Sequence, residues 1–220
     1  MLKIENVSVT GWEAALRGMR NPMNSWDKHD SGYDFESQSM VDDKLTMVYK
    51  IGPNDYKLMM NLCKGGTEES KWRRMIHVSC DVTAPLYWWK EADTYKVGTV
   101  ANSCSTMHKI AEREFTLDDF SWEHLIGRST TLDSSFPSIP AVKISNEEDT
   151  NMSLCVTPVD SLNIIVQLIN QCRKMFLTTK DKAYWWQMIQ LLPSSYNQRR
   201  TVDLNYEVLA AQYRQGKLTS

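Results

Sequence analysis

A chain of 220 residues with 42% hydrophobic and 24% charged side chains can bury a sizeable core, which excludes a largely disordered protein. Its formal net charge of -2 excludes a general electrostatic pull toward duplex nucleic acid or anionic lipid, and no apolar run approaches the roughly 20 residues that a membrane helix needs. Five cysteines without a CxxC pair and an N-terminus lacking a signal-peptide pattern predict a reduced, cytoplasmic protein, and the four histidines are not spaced as metal ligands.

In chain order, Lys3-Ile-Glu-Asn-Val-Ser-Val alternates as a strand does. Trp12, Ala15, Leu16 and Met19 fall at helical spacing, and Pro22 ends that helix because the residue before proline is pushed out of the helical region. Residues 24–38 are polar and turn-rich and predict a surface loop. Residues 45–51 predict a strand. Gly52-Pro53-Asn54-Asp55 then supplies turn chemistry and a cap for a helix over 56–63, closed by Gly65-Gly66. A short helix follows from Thr67, residues 75–82 alternate as a strand, and Ala84-Pro85 opens an aromatic helix. Another helix is expected to begin near Ser105. Residues 129–151, rich in Ser, Thr, Pro and acids, predict a mobile excursion. Three helices close the chain: 159–176, with Leu162, Ile165, Val166, Ile169 and Cys172 on one face, then 181–192, stopped by Pro193, and 202–215. The expectation is one α+β domain over residues 1–220 with a helical C-terminal portion.

The most informative stretch is 81–108. It sets Trp88, Trp89 and Tyr95 beside Lys96 and a run of hydroxyl residues. Rings supply stacking area and hydroxyls fix orientation, as in a pocket for a flat polar ligand such as a nucleotide or a flavin. Lys96 is a candidate phosphate contact or a solvated lysine at a helix end. Asn102 and Ser105 suit a base or phosphate, and equally suit a helix cap. Adjacent tryptophans on a helix cannot share a face, so one of Trp88 and Trp89 packs in the core and the other points elsewhere; the same holds for Trp185 and Trp186. Arg17 and Arg20, three apart on the first helix, neighbour each other and form either an anion clamp or a solvated helix end. Arg199 and Arg200 enter an expected helix start with Asp203 nearby to pair with them. His108, near Ser105, is the one histidine of interest. No nucleophile, base and orienting acid can be assigned from spacing, and Gly65-Gly66 lacks the pattern of a phosphate loop.

The segment Tyr95-Lys-Val-Gly-Thr-Val-Ala-Asn-Ser-Cys-Ser-Thr-Met-His108 resembles the signature of the flavin-dependent thymidylate synthases (ThyX), Arg-His-Arg-x-x-Ser-x-Asn-Glu-x-Ser-x-Arg-Tyr, with matches at Asn102 and Ser105. The layout is similar over roughly the whole chain, with Leu192-Pro193 preceding Asn205 and a last helix that bears Arg214. The resemblance implies a ThyX-like α+β fold and a homotetramer whose nucleotide and FAD sites lie at subunit interfaces. Where the family has a basic triplet, this chain has Tyr95, Lys96 and Val97. Tyrosine and valine cannot replace the bidentate bonds of arginine to a phosphate. The expectation is therefore a nucleotide-binding protein of ThyX-like fold without the family's catalysis. It would bind through Lys96, Asn102, Ser105, Arg17, Arg20, Arg199 and Arg214, with stacking by Trp88, Trp89 and Tyr95, and sequester a nucleotide or nucleotide signal in a manner suited to a virus or mobile element. Two alternatives stay open. One is an active enzyme methylating dUMP, with Arg17, Arg20 or Arg199 compensating for the lost arginines. The other is a structural or protein-interaction module.

Overall fold

The computed structural model describes residues 2–37, 45–95, 97–127, 142–146, 149–214 and 216. Its strands are β1 (Lys3–Thr10), β2 (Gly32–Ser37), β3 (Leu45–Lys50), β4 (His77–Pro85), β5 (Thr99–Ser103), β6 (Val142–Asn146), β7 (Asp149–Val156) and β8 (Asn197–Asn205). The helices are α1 (Trp12–Arg20), α2 (Pro53–Lys64), α3 (Leu86–Ala92), α4 (Pro158–Thr179), α5 (Lys182–Leu191) and α6 (Tyr206–Arg214). The chain packs as two compact units, one of Met1–Lys3, Val82–Thr94 and Ser103–Arg200, the other of Ile4–Asp81, Tyr95–Asn102 and Thr201–Ser220.

In the first unit, α4 is started by a reciprocal cap. The Thr157 amide donates to Asp160 Oδ2 at 3.0 Å, the Asp160 amide donates to Thr157 Oγ1 at 3.3 Å, and Pro158 occupies the first turn, where its missing N–H costs nothing. Leu162, Val166 and Ile169, spaced along one face, are buried together with Met188 of α5 and with Ile110, Phe115 and Phe120. Thr157→Ala is expected to lower stability by about 1 kcal/mol, read as a lower urea midpoint with an unchanged slope. The same helix fixes the segment before it in space. Asn170 donates to the Phe115 carbonyl at 2.8 Å and accepts from its amide at 2.9 Å, and Arg173 Nε donates to the Ala111 carbonyl at 3.0 Å.

In the second unit, Ala15, Leu16 and Met19 of α1 pack with Trp72 and Ile76, flanked by Leu58 and Leu62 of α2. Strands β1, β4, β8 and β5 hydrogen-bond in that order, and most of each belongs to this unit. Strands β2 and β3 form a separate antiparallel hairpin, pairing Tyr33 with Tyr49. The amides that open α2 are satisfied from a distance: Asn54 and Asp55 donate to the Asp30 carboxylate at 2.9 and 3.1 Å. At Gly98, φ is +77° and an added Cβ would stand 2.3 Å from the Asn205 side-chain nitrogen, so this segment needs glycine for both reasons. Asn205 in turn caps α6, accepting from the Val208 amide at 3.0 Å.

The structure differs from the sequence reading in six places. Residues 24–38 are not all loop, since Trp26–Lys28 is a 3-10 turn and β2 begins at Gly32. The short helix expected from Thr67 is displaced to a 3-10 turn at Lys71–Met75. No helix starts near Ser105: its Oγ accepts from the amides of Met107 and His108 at 3.3 and 2.9 Å, so the hydroxyl closes a turn. The expected helix over 202–215 begins only at Tyr206, because residues 202–205 complete β8. Asp203 pairs with His77 and Ser79, while Arg200 pairs with Asp93. Of the excursion expected over 129–151, residues 129–141 and 147–148 lie outside the described residues, while 142–146 and 149–151 belong to the antiparallel β6–β7 hairpin.

Candidate functional site

Alternate residues on a strand share a face, so Asn197 and Arg199 of β8 stand on one side of that strand. With Thr83 of the neighbouring β4 they line a cleft of about 710 Å³ in the first unit, a size typical of small-molecule sites. The rest of the lining comes from Tyr196 and from residues 104–119, the segment that Asn170 and Arg173 of α4 hold by its backbone.

The charges in this cleft are mostly paired. Arg113 forks onto Asp119, with Nη1 to Oδ2 at 3.0 Å and Nη2 to Oδ1, and this pairing holds the guanidinium in its charged form. Asp119 is buried and also accepts from the Thr116 amide at 2.9 Å, which orients the fork. Lys109 pairs with Glu112. Burial raises the pKa of Tyr196, and the Asp119 charge adds to this while Arg113 opposes it, so the hydroxyl stays neutral at physiological pH. Ser105 Oγ accepts two amide bonds and keeps its own hydrogen to donate. Asn197 Oδ1 is buried without a hydrogen-bond partner. The cleft therefore sets cationic and hydroxyl groups beside one amide acceptor that is unmet among the described residues, a set that fits a ligand with an anionic group at one end and N–H or O–H donors at the other.

Of the residues singled out in the sequence, Ser105 and Arg199 come together here. Arg17 and Arg20 line a different cavity, in the second unit, and Arg20 is 3% exposed, with its guanidinium spent on Asp55 and on the carbonyls of Ser25 and Lys28. Trp89 is buried, donates from Nε1 to the Gln198 carbonyl at 2.9 Å and carries the Arg200 guanidinium 4.2 Å above its ring. Trp88 meets it edge-on at 5.0 Å. Asn102 and Arg214 are exposed on β5 and α6, Tyr95 is half-buried in the second unit, and His108 is exposed beside the Ser105 turn. Lys96 lies outside the described residues. Asn197, Arg113 and Tyr196 were missed. The signal for Asn197 is the alternation of residues 197–205, which an expected helix start at Arg199 and Arg200 hides. Among the described residues no group of three or more His, Cys, Asp or Glu is gathered as for a metal ion, and no helix is long and apolar enough to cross a membrane.

No family model matches the chain, and no curated protein matches it in sequence. Solved structures do. The chain is similar to thymidylate synthase X from Helicobacter pylori, solved with FAD and dUMP, with a TM-score of 0.55 at 12% identity over 94% of this chain and 80% of that one. It is also similar to the UMP/dUMP methylase PolB from Streptomyces cacaoi, solved with 5-Br UMP, with a TM-score of 0.52 at 11% identity over 95% of this chain and 74% of that one. The fold is ThyX-like. The α+β architecture implied by the signature-like segment is thus present, in a chain whose sequence keeps little of the signature itself. Within that ThyX-like fold, the residues standing where the resemblance puts basic groups do not fit a flavin held in the family manner: Tyr95 and Val97 carry no guanidinium, and Val97 is 91% exposed.

Proposed function

We propose that this ThyX-like chain binds a pyrimidine nucleotide in the cleft of its first unit and holds it without the family's methyl transfer. The observation that carries this reading is the unpartnered Asn197 Oδ1 beside Arg199 and Ser105, an acceptor and donors set for a ring N–H and a phosphate. The neighbours of the same fold that were solved with dUMP or 5-Br UMP support the ligand class. Loss of the triplet arginines, with Tyr95 and Val97 in their place, supports sequestration of a nucleotide or nucleotide signal over catalysis. Lys96, Asn102 and Arg214 then belong to the same function only if they meet the nucleotide in an assembly. We read residues 1–220 as one functional domain of a cytoplasmic homotetramer. Exposed Ile4 and Val7 on the edge strand β1, and exposed Ile164, Leu168 and Met175 on one face of α4, support assembly.

Calorimetric titration with UMP and dUMP tests the reading. Saturable binding is expected, weakened about tenfold in Arg199→Ala by the loss of a charge-assisted bond. No binding across a panel of nucleotides and flavins would end it. The enzyme reading has one observation in its favour, the FAD in the H. pylori neighbour. Its mark would be flavin absorption bands in protein purified without added ligand, which would overturn the sequestering role. An interaction module would instead assemble without ligand, and alanine at Trp88 would change partner binding alone.

A further inference from the structure

The second unit contains a cavity of about 420 Å³ that the proposed nucleotide cleft does not use. Four features of its lining point to a ligand. Trp26 is 51% exposed, and its indole N–H is anchored to Asn21 Oδ1 at 2.9 Å, so one ring face is presented in a fixed orientation. Arg17, on the last turn of α1, is exposed and makes no ion pair among the described residues. His29 Nδ1 lies 2.8 Å from Oδ2 of the fully buried Asp55. In the neutral imidazole that contact places the proton on Nδ1 and leaves Nε2 as an acceptor. Tyr49 Oη is buried without a partner, and its ring is held by stacking on Trp12 at 6.4 Å and an edge contact with Tyr33 at 4.9 Å. A phenol so placed cannot swing out to water, and buried hydroxyls without partners are rare in folded proteins. Burial, then the charges of Glu13 and Asp55, push its pKa up, so it remains a donor.

We propose that this cavity is a second small-molecule site, for a planar heteroaromatic ring bearing N–H donors and one carboxylate or phosphate. Trp26 stacks on the ring. The Tyr49 hydroxyl donates to a ring carbonyl, and Arg17 takes the anionic group. His29 Nε2 and the Glu13 carboxylate accept the ring N–H groups, and Glu13 disfavours any ligand that is anionic all round. The cavity's groups all come from α1, the segment after it and the β2–β3 hairpin, so the site stands independently of the cleft around Arg199.

The probe is orotate, a pyrimidine carboxylate with two ring N–H groups and no sugar, titrated into the full chain labelled with nitrogen-15. Trp26→Phe assigns the Trp26 indole signal. A saturable shift of that signal is expected, with orotate affinity lowered about tenfold in Arg17→Ala. Tyr49→Phe should weaken binding while leaving the melting temperature unchanged or raised, which a merely structural hydroxyl would not do. Benzoate, which lacks the N–H donors, should bind more weakly than orotate, and in Arg199→Ala the orotate titration followed at the Trp26 signal should match that of the wild type. If UMP moves the same signal and Arg17→Ala weakens it, the occupant extends to the nucleotide form of the ring. A Trp26 signal unmoved by orotate and UMP would overturn the proposal, as would Arg17→Ala and Tyr49→Phe binding like wild type. Neither failure touches the cleft in the first unit, whose own test is UMP binding by Arg199→Ala.

Discussion

Arg20→Ala is expected to destabilise the protein by about 3–5 kcal/mol, the range for removing one partner of a buried ion pair. Arg20 Nε donates to Asp55 Oδ1 at 2.7 Å, Nη1 to the Ser25 carbonyl at 3.0 Å and Nη2 to the Lys28 carbonyl at 2.7 Å. The guanidinium thus joins α1, α2 and the segment after α1 at one point. Asp55, 0% exposed, also accepts from the amides of Asp30 and Ser31 at 3.1 Å each and from Ser31 Oγ at 2.6 Å. Alanine at position 20 leaves that carboxylate buried with its guanidinium gone and the Lys28 carbonyl without its donor, while the Ser25 carbonyl keeps only the Lys28 amide at 3.2 Å. Against a typical total stability of about 5–15 kcal/mol that loss is a large fraction, and it brings a domain at the low end of the range close to its unfolding midpoint. The pH dependence follows with a definite sign. Burial alone raises the pKa of Asp55, but the bonds from Ser31, Asp30 and Arg20 outweigh it and hold the group below the ordinary carboxylate range. A depressed folded pKa contributes stability that is fully present above the unfolded value of about 4 and is lost as pH falls through the folded value. In Arg20→Ala that folded pKa rises, so acid unfolding begins at higher pH. Urea unfolding at neutral pH and an acid titration read both effects. A variant within about 1 kcal/mol of wild type would show that the pair is dispensable and return Arg20 to the candidates for anion binding.

The fate of Arg20 shows what the sequence carried and what it did not. Helical spacing of Trp12, Ala15, Leu16 and Met19 placed α1 correctly, and the apolar stripe from Leu162 to Ile169 placed α4, because each buries one face and the period records it. The same spacing put Arg17 and Arg20 on neighbouring faces but said nothing of Asp55, thirty-five residues on, which occupies one guanidinium and not the other. Residues 202–205 failed for a related reason. Val202 and Leu204 suit the start of a helix or the end of a strand, and only pairing of β8 with β4 and β5 decides. The serine cluster at 103–106 failed by chemistry: hydroxyls that cap helices also close turns, and with no apolar period behind Ser105 the turn prevailed. In the cleft, Ser105 was legible from the signature-like segment and Arg199 from its charge. Asn197 was not, because an asparagine is remarkable only when its acceptor is buried and unmet.

That unmet acceptor makes Asn197→Leu the more decisive test of the cleft. Leucine fills a similar volume without a polar atom, so the substitution is expected to raise stability by about 1 kcal/mol, the low end of the cost of an unsatisfied buried group. The same change should weaken UMP binding about ten- to a hundredfold, since a ring N–H set against that buried position is left unpaired when its acceptor is lost. Stability and binding would then move in opposite directions, as expected of a group kept for a ligand at the expense of the fold. Asn197→Asp separates shape from charge. It keeps the acceptor but sets a carboxylate beside Arg199, and is expected to weaken UMP more at low salt than at high, because screening relieves repulsion of the phosphate. Urea midpoints and calorimetric titrations on the three proteins read all of this. A leucine variant that loses stability and binds UMP unchanged would mean that Asn197 serves the fold alone, and the nucleotide would have to be sought outside this cleft.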